Sequence, residues 1–372
     1  MRFIRAAPKD KLVKIPVNLP VLGRDEISEV LAVLKSGALT SSANLGGRNV
    51  QEFEKLVRSF VKSKYAVAVN SGTAALQASL YALGIKPGDE VLLPSFTFVA
   101  TANSIVSVGA KPVFVDILRE NYTMDPSDLK KKITKRTRAI MPVHMYGNVA
   151  YMDEISEIAA KHDLNVIEDA AQSMGSTYRG RQTGTLSRLG CFSLYAAKVM
   201  TSGEGGVVVT SDKKLWERLL MIRNHGMVHG YDSCVLGLNF RMPEINAAIA
   251  KVQMKKLPRF LQIRQKNAKI LSELLSGLDL ILPHERKGVK VNWYLYTIAA
   301  RRRDRIMKLL NDRGIGAAAY YTTPVHRTPL YSKKTSLPNT DWAAASVLSL
   351  PVQPLVKPAH LKMMAEIIRK SL

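Results

Sequence analysis

The sequence predicts an α/β protein with a mostly parallel central sheet sandwiched by helices, plus a smaller C-terminal α/β domain. Three observations carry this expectation. From Lys64 to Val209, short β-branched apolar runs alternate with helical patterns, the order that produces parallel strands covered by helices. Small and polar residues gather just past the ends of those runs, where α/β sheets bind ligands. The chain has 372 residues, 47% of them hydrophobic, which is enough for a large core and for two domains.

Taken in order, the strand runs are YAVAV ending at Asn70, DEVLLPS at Ser95, KPVFVD at Asp116, RAIMPVH at His144, LNVIED at Asp169 and GGVVVT at Thr210. Amphipathic stretches such as Ala74–Leu83 and Met152–Lys161 supply the helices between them. After Pro243 the pattern changes to a long helical stretch, with Pro258 as the expected break. A smaller unit follows: strand VNWYLYTIAA, helix DRIMKLLNDRG, strand GAAAYYTT and a closing helix near Pro358–Ser371. The boundary is placed near residue 255, giving a large domain over 20–255 and a small one over 256–372.

Composition narrows the functional classes. The start, MRFIRAAPKD, has no signal-peptide pattern, and Val91–Ala110 is interrupted by Pro94 and Asn103, so a cytoplasmic protein without a membrane span is expected. Cys191 and Cys234 fit no disulfide framework or CxxC pair, and the seven histidines are scattered, so no metal site is expected. The net charge of +24 is concentrated in KKKITKRTR, from Lys130 to Arg138, and in RRRDR at 301–305. Such a surplus suits an anionic ligand, whereas no zinc-finger, RNP or basic-zipper pattern argues for nucleic acid. GIGAAA at 314–319 follows a helix and precedes a strand, the reverse of the dinucleotide-binding order, and no GxSxG or P-loop occurs.

Four stretches carry chemistry. NSGTAAL (70–76) can be a phosphate cradle at a helix N-terminus or an ordinary turn capped by Ser71. PSFTFVAT (94–101) sets Phe98 past a strand end, to lie on a flat cofactor or to pack in the core. EDAAQS (168–173) begins at a strand end, where Asp169 can meet a cationic ring nitrogen or serve as a cap. FSLYAAKVMTSGEGG (192–206) holds an isolated amine, Lys198, before a glycine-rich turn; a buried ammonium is too costly to be idle. Together they are what pyridoxal phosphate requires: an amine for its aldehyde, a carboxylate for its pyridinium nitrogen, an aromatic face and a phosphate site.

From about Leu19 to the C-terminus, the chain resembles the DegT/DnrJ/EryC1/StrS family of sugar aminotransferases, of the fold-type I pyridoxal-phosphate group. NSGTAAL, PSFTF, EDAAQS, FSLYAAKVMTSGEGG, RNHG and GLNFRMPEINAAIA occur in the family's order. The resemblance implies that Lys198 forms the Schiff base and shuttles the proton, and that Asp169 pairs with the ring nitrogen. Gln172 approaches the ring hydroxyl, and Phe98 stacks on the ring. Gly72, Thr73 and Ser193 hold the phosphate, and Asn239 reaches the neighbouring subunit's cofactor in a homodimer with shared sites. His326, in TTPVHRTPLY, and Tyr195 are candidate substrate contacts, although the family often has His at the position of Tyr195 and Asn at that of Val199.

The implied activity is amino transfer from L-glutamate to a keto group of a nucleotide-linked sugar. Relatives that replace the lysine with histidine act as dehydratases; this chain keeps Lys198. A keto-cyclitol or another keto substrate, and a regulatory nucleic-acid-binding role, stand as alternatives.

Overall fold

A computed structural model describes residues 14–228, 230–332 and 335–372. Two helices, α1 (Arg24–Ser36) and α2 (Arg48–Val61), precede the first strand. In α2, Val50, Phe53, Val57 and Val61 recur at three- and four-residue spacing and are all buried, which sets the face it turns inward. Then follow β1 (Tyr65–Val69), α3 (Gly72–Ala82), β2 (Glu90–Pro94), α4 (Val99–Ser107) and β3 (Lys111–Val115). Next come α5 (Pro126–Lys132), β4 (Thr137–Ile140), α6 (Met152–Lys161) and β5 (Asn165–Asp169). A small hairpin, β6 (Thr177–Tyr178) and β7 (Arg181–Gln182), leads into β8 (Leu189–Ser193), β9 (Gly206–Thr210) and α7 (Lys213–Arg223).

The central sheet has seven strands in the order β1-β9-β8-β5-β4-β2-β3. Neighbours from β8 to β3 pair in parallel, and only β9 runs against the strands on either side. The mostly parallel α/β sheet expected from the sequence is present. The C-terminal ends of β1, β2, β5 and β8 therefore open on one edge, which places NSGT, SFTF, DAAQ and the lysine loop side by side.

Beyond the sheet, α8 (Glu244–Leu275) is a single helix of 32 residues with Pro258 inside it, so the expected break is absent. Proline removes one N–H from a long ladder. That loss is offset because α8 packs on α1, α2 and the last helix, and because Lys256 and Gln253 both bind Glu26. A boundary near residue 255 falls inside this helix. The chain ends with β10 (Val289–Lys290), β11 (Tyr296–Ala299), α9 (Arg303–Asp312), α10 (Pro338–Ser346), β12 (Val347–Leu350) and α11 (Pro358–Arg369).

The strand expected over GAAAYYTT reduces to a single bridge, from Ala318 to Ser349 of β12, while β11 pairs with β12 along its length. One hydrophobic cluster runs from Leu92, Val115 and Ile140 of the large sheet to Ile298, Leu348 and Leu361. The two halves thus share a core. Cys191 is buried, Cys234 is exposed and both are free. Among the described residues no helix is long and apolar enough to cross a membrane.

Candidate active site

The register of β1, β9 and β8 sets Val69, Gly206 and Ser193 abreast. Ser71 then caps α3, its hydroxyl accepting the Ala74 N–H at 3.0 Å. The cap leaves the N–H groups of Gly72 and Thr73 at the positive end of the helix, without acceptors inside it. The cap expected of Ser71 is present, and the turn leaves backbone N–H groups open at the helix start. Two glycines are needed for this approach. A Cβ on Gly206 would stand 2.3 Å from the Ser71 carbonyl oxygen, and one on Gly72 would stand 2.8 Å from Ser193 Cβ.

The lysine loop folds back on itself by short hydrogen bonds. Ser202 N–H and the Thr201 hydroxyl both donate to Leu194 O, and Lys198 N–H donates to Tyr195 O at 2.9 Å. Gly203, at φ 83°, makes the left-handed turn that returns the chain to β9. The loop holds the Lys198 amine in a recess. Burial pushes that amine down to about 8, against the opposing pull of Asp169. It lies 4.8 Å from the centroid of the Tyr294 ring.

Asp169 closes β5 and is buried. Thr101 donates to its Oδ2 at 2.8 Å, and the Ala171 N–H reaches Oδ1 at 3.2 Å. Burial raises the carboxyl above its ordinary range, while hydrogen bonds from Thr101 and Ala171 and the charge of Lys198 pull it back. Behind it, His144 takes the Ala150 N–H on Nδ1, so its Nε2 carries the proton donated to Glu168 at 2.9 Å. Glu168 also accepts from the N–H groups of Gly184, Leu186 and Ser187, which pins the β7–β8 turn beneath the site.

Gln172 accepts the Tyr146 N–H at 2.8 Å and donates to the Tyr321 hydroxyl at 3.1 Å. Its second N–H is left for a ligand. Tyr146 reaches it from a left-handed backbone, φ 58°, a conformation uncommon outside glycine. Phe98, at the start of α4, is 59% exposed, so it does not pack in the core; its ring is free to cover a ligand. Tyr195 is exposed at the rim, and so is Asn239, whose carbonyl accepts from Asn70 of the cradle.

His326 requires a correction. It shows no exposed surface, its Nδ1 takes the Ser95 hydroxyl proton at 2.7 Å, and its backbone N–H donates to the same oxygen. Its Nε2 lies 3.4 Å from Asp341. A side chain sealed in this way cannot touch a substrate; it ties the segment after Pro324 to the end of β2.

Residues 20–369 match the DegT/DnrJ/EryC1/StrS aminotransferase family. The chain belongs to that family. This aminotransferase is 40% identical to a UDP-N-acetyl-3-dehydro-alpha-D-glucosamine 3-aminotransferase of Acidithiobacillus ferrooxidans, over 83% of this chain and 84% of that one. Its fold is that of Streptomyces venezuelae DesV in complex with a ketimine intermediate, with TM-score 0.90, 35% identity, and coverage of 95% of this chain and 98% of that one. The fold also matches the putative sugar aminotransferase Spr1654 of Streptococcus pneumoniae in its PLP form, with TM-score 0.90, 26% identity, and coverage of 96% of this chain and 99% of that one.

The side chains fit the cofactor of such an aminotransferase. The turn is open only because Gly72 and Gly206 lack a Cβ, and Lys198, Asp169 and the exposed Phe98 ring stand at the ends of β8, β5 and β2 on the same sheet edge. Sequence reasoning missed Thr97, Thr101, Tyr294 and Tyr321. Thr97 precedes α4 and Thr101 lies in its first turn, a pairing across a helix start that no periodicity marks, and nothing in the sequence marked the two tyrosines.

Proposed function

We propose that this aminotransferase carries an amino group from L-glutamate to a keto carbon of a nucleotide-linked sugar, with pyridoxal phosphate as cofactor and 2-oxoglutarate as by-product. The observation that carries the reading is the recessed Lys198, whose amine is held down to about 8 beside the buried carboxylate of Asp169. An amine so poised can take and return a proton near neutral pH, the requirement for general acid–base work. When bound, pyridoxal phosphate supplies an electron sink for the negative charge left at a substrate carbon that loses its proton.

Every other part belongs to the chain. Lys198 moves the proton between the substrate carbon and the opposite end of the reacting system. Asp169 keeps a proton on the ring nitrogen, and Gln172 offers its spare N–H to the ring hydroxyl. Gly72, Thr73 and Ser193 hold the phosphate at the α3 N-terminus, and Phe98 covers one ring face. Tyr195 stands where a sugar would enter. The exposed Asn239 completes a neighbour's site in a homodimer, and the net charge of +24 favours the approach of an anionic diphosphate.

The test is transfer of label from 15N-glutamate to a panel of nucleotide-linked keto sugars, read by mass spectrometry. Label in a nucleotide sugar supports the proposal. Label only in a keto-cyclitol, or release of 2-oxoglutarate with every sugar unlabelled, overturns the acceptor class.

A further inference from the structure

The Thr101 hydroxyl donates to Asp169 Oδ2 at 2.8 Å, and the Thr97 hydroxyl lies 2.9 Å from that of Thr101. All three side chains are at least 96% buried, which leaves no room for solvent to exchange into the chain. A hydroxyl has one proton. That of Thr101 is committed to the carboxylate, so the contact between the threonines is filled by Thr97 donating to Thr101 Oγ1. Hydrogen bonds in series polarise one another, and the terminal donor to the carboxylate is thereby strengthened.

We infer that Thr97 and Thr101 are positioning residues, a two-hydroxyl relay that keeps Asp169 ionised and turns its Oδ1 to the ring nitrogen of the cofactor. The inference rests on the pyridoxal phosphate reading above. The neighbours of Asp169 leave this task to the relay. His144 has both ring nitrogens engaged, with Ala150 and Glu168, and touches Asp169 only through a backbone N–H donated to the Asp169 carbonyl. Lys198 acts on the carboxylate through charge. Ala171 reaches Oδ1 through a backbone N–H at 3.2 Å, long enough to leave that oxygen capacity for a second donor. Thr101 is the one side chain with a hydrogen bond to this carboxylate among the described residues. Phe98 caps α4 and Thr101 lies in its first turn, so one helix start both covers the ring face and sets the charge at the ring nitrogen.

The experiment loads the full chain with ring-15N pyridoxal phosphate and reads the nitrogen shift by NMR, for the wild type, Thr101→Val, Thr101→Ser and Thr97→Val. The wild type and Thr101→Ser are expected at the protonated-ring position. Thr101→Val is expected to move toward the neutral ring, with kcat down about tenfold and the KM for glutamate within twofold of wild type, as for a carboxyl whose pKa rises by about one unit. Thr97→Val should move part of the way, and it decides the matter if Thr101→Val does not load. A loaded Thr101→Val with the wild-type shift overturns the relay alone, as does an unmoved Thr97→Val where Thr101→Val cannot be read. A wild-type protein that takes up no cofactor overturns the cofactor reading and the relay with it.

Discussion

The Lys198 ammonium lies 4.8 Å from the centroid of the buried Tyr294 ring, so an aromatic surface covers one side of the amine. The ring favours the charged form, by about 0.5–2 kcal/mol. Burial favours the neutral form and prevails, holding the amine at about 8. Only the neutral amine attacks an aldehyde. The rate at which the apo protein takes up pyridoxal phosphate should therefore rise with pH, reach half its limit near pH 8 and level above it. Tyr294→Leu should move that midpoint down by about half a unit, while Tyr294→Phe leaves it in place. Stopped-flow absorbance across pH 6–10 reads it; a midpoint at an ordinary lysine value contradicts the recess.

Gly72 tests the cradle. A methyl group there would sit 2.8 Å from Ser193 Cβ. Both groups are attached to backbone at a sheet edge, so relief means opening the turn, at roughly 1–3 kcal/mol. Gly72→Ala should weaken cofactor affinity by about tenfold or more in an absorbance titration. Gly84→Ala, where no atom lies within 4 Å of the added carbon but φ is 74°, should lower Tm and leave affinity alone.

His326 separates a packing role from a recognition role. Burial pushes its imidazole below the usual value, so at pH 7 it is neutral and serves Ser95. His326→Ala should cost about 1–3 kcal/mol of stability through the stranded hydroxyl, read as a lower Tm. Its effect on the KM for the sugar substrate should stay within twofold. A raised KM at unchanged Tm would restore a substrate contact.

These outcomes mark where the sequence was informative. The placement of Lys198, Asp169, Gln172, Phe98 and the Gly72 turn along one sheet edge was legible because each follows an apolar run that ends there. Pro258 misled because a proline breaks an isolated helix, and only tertiary packing on α1 and α2 shows that α8 continues. GAAAYYTT reads as a strand, yet it pairs with β12 at Ala318 alone and then delivers Tyr321 to Gln172. His326 looked like a ligand contact because a sequence carries no burial. Thr97 and Thr101 were overlooked because a threonine at a helix start has many commoner uses.

Asn239 tests the shared site. Its side chain is exposed beside the cradle of its own chain, as a residue serving a neighbour would be. Lys198→Ala and Asn239→Ala proteins, each impaired alone, should regain activity when unfolded and refolded together, because one of the two sites in a hybrid dimer then has both native residues. No gain over the separate proteins, in a mixture shown to contain hybrids, would place Asn239 in its own subunit's site or in none.

The central claim, that Lys198 is the working amine of an aminotransferase, is tested most directly by the absorbance spectrum during titration with L-glutamate, run beside Lys198→Ala. The account predicts a cofactor absorbance band in the wild type that glutamate converts to the pyridoxamine form and 2-oxoglutarate restores, and no glutamate-driven conversion in the variant. A Lys198→Ala protein that cycles between the two spectra like the wild type would contradict it.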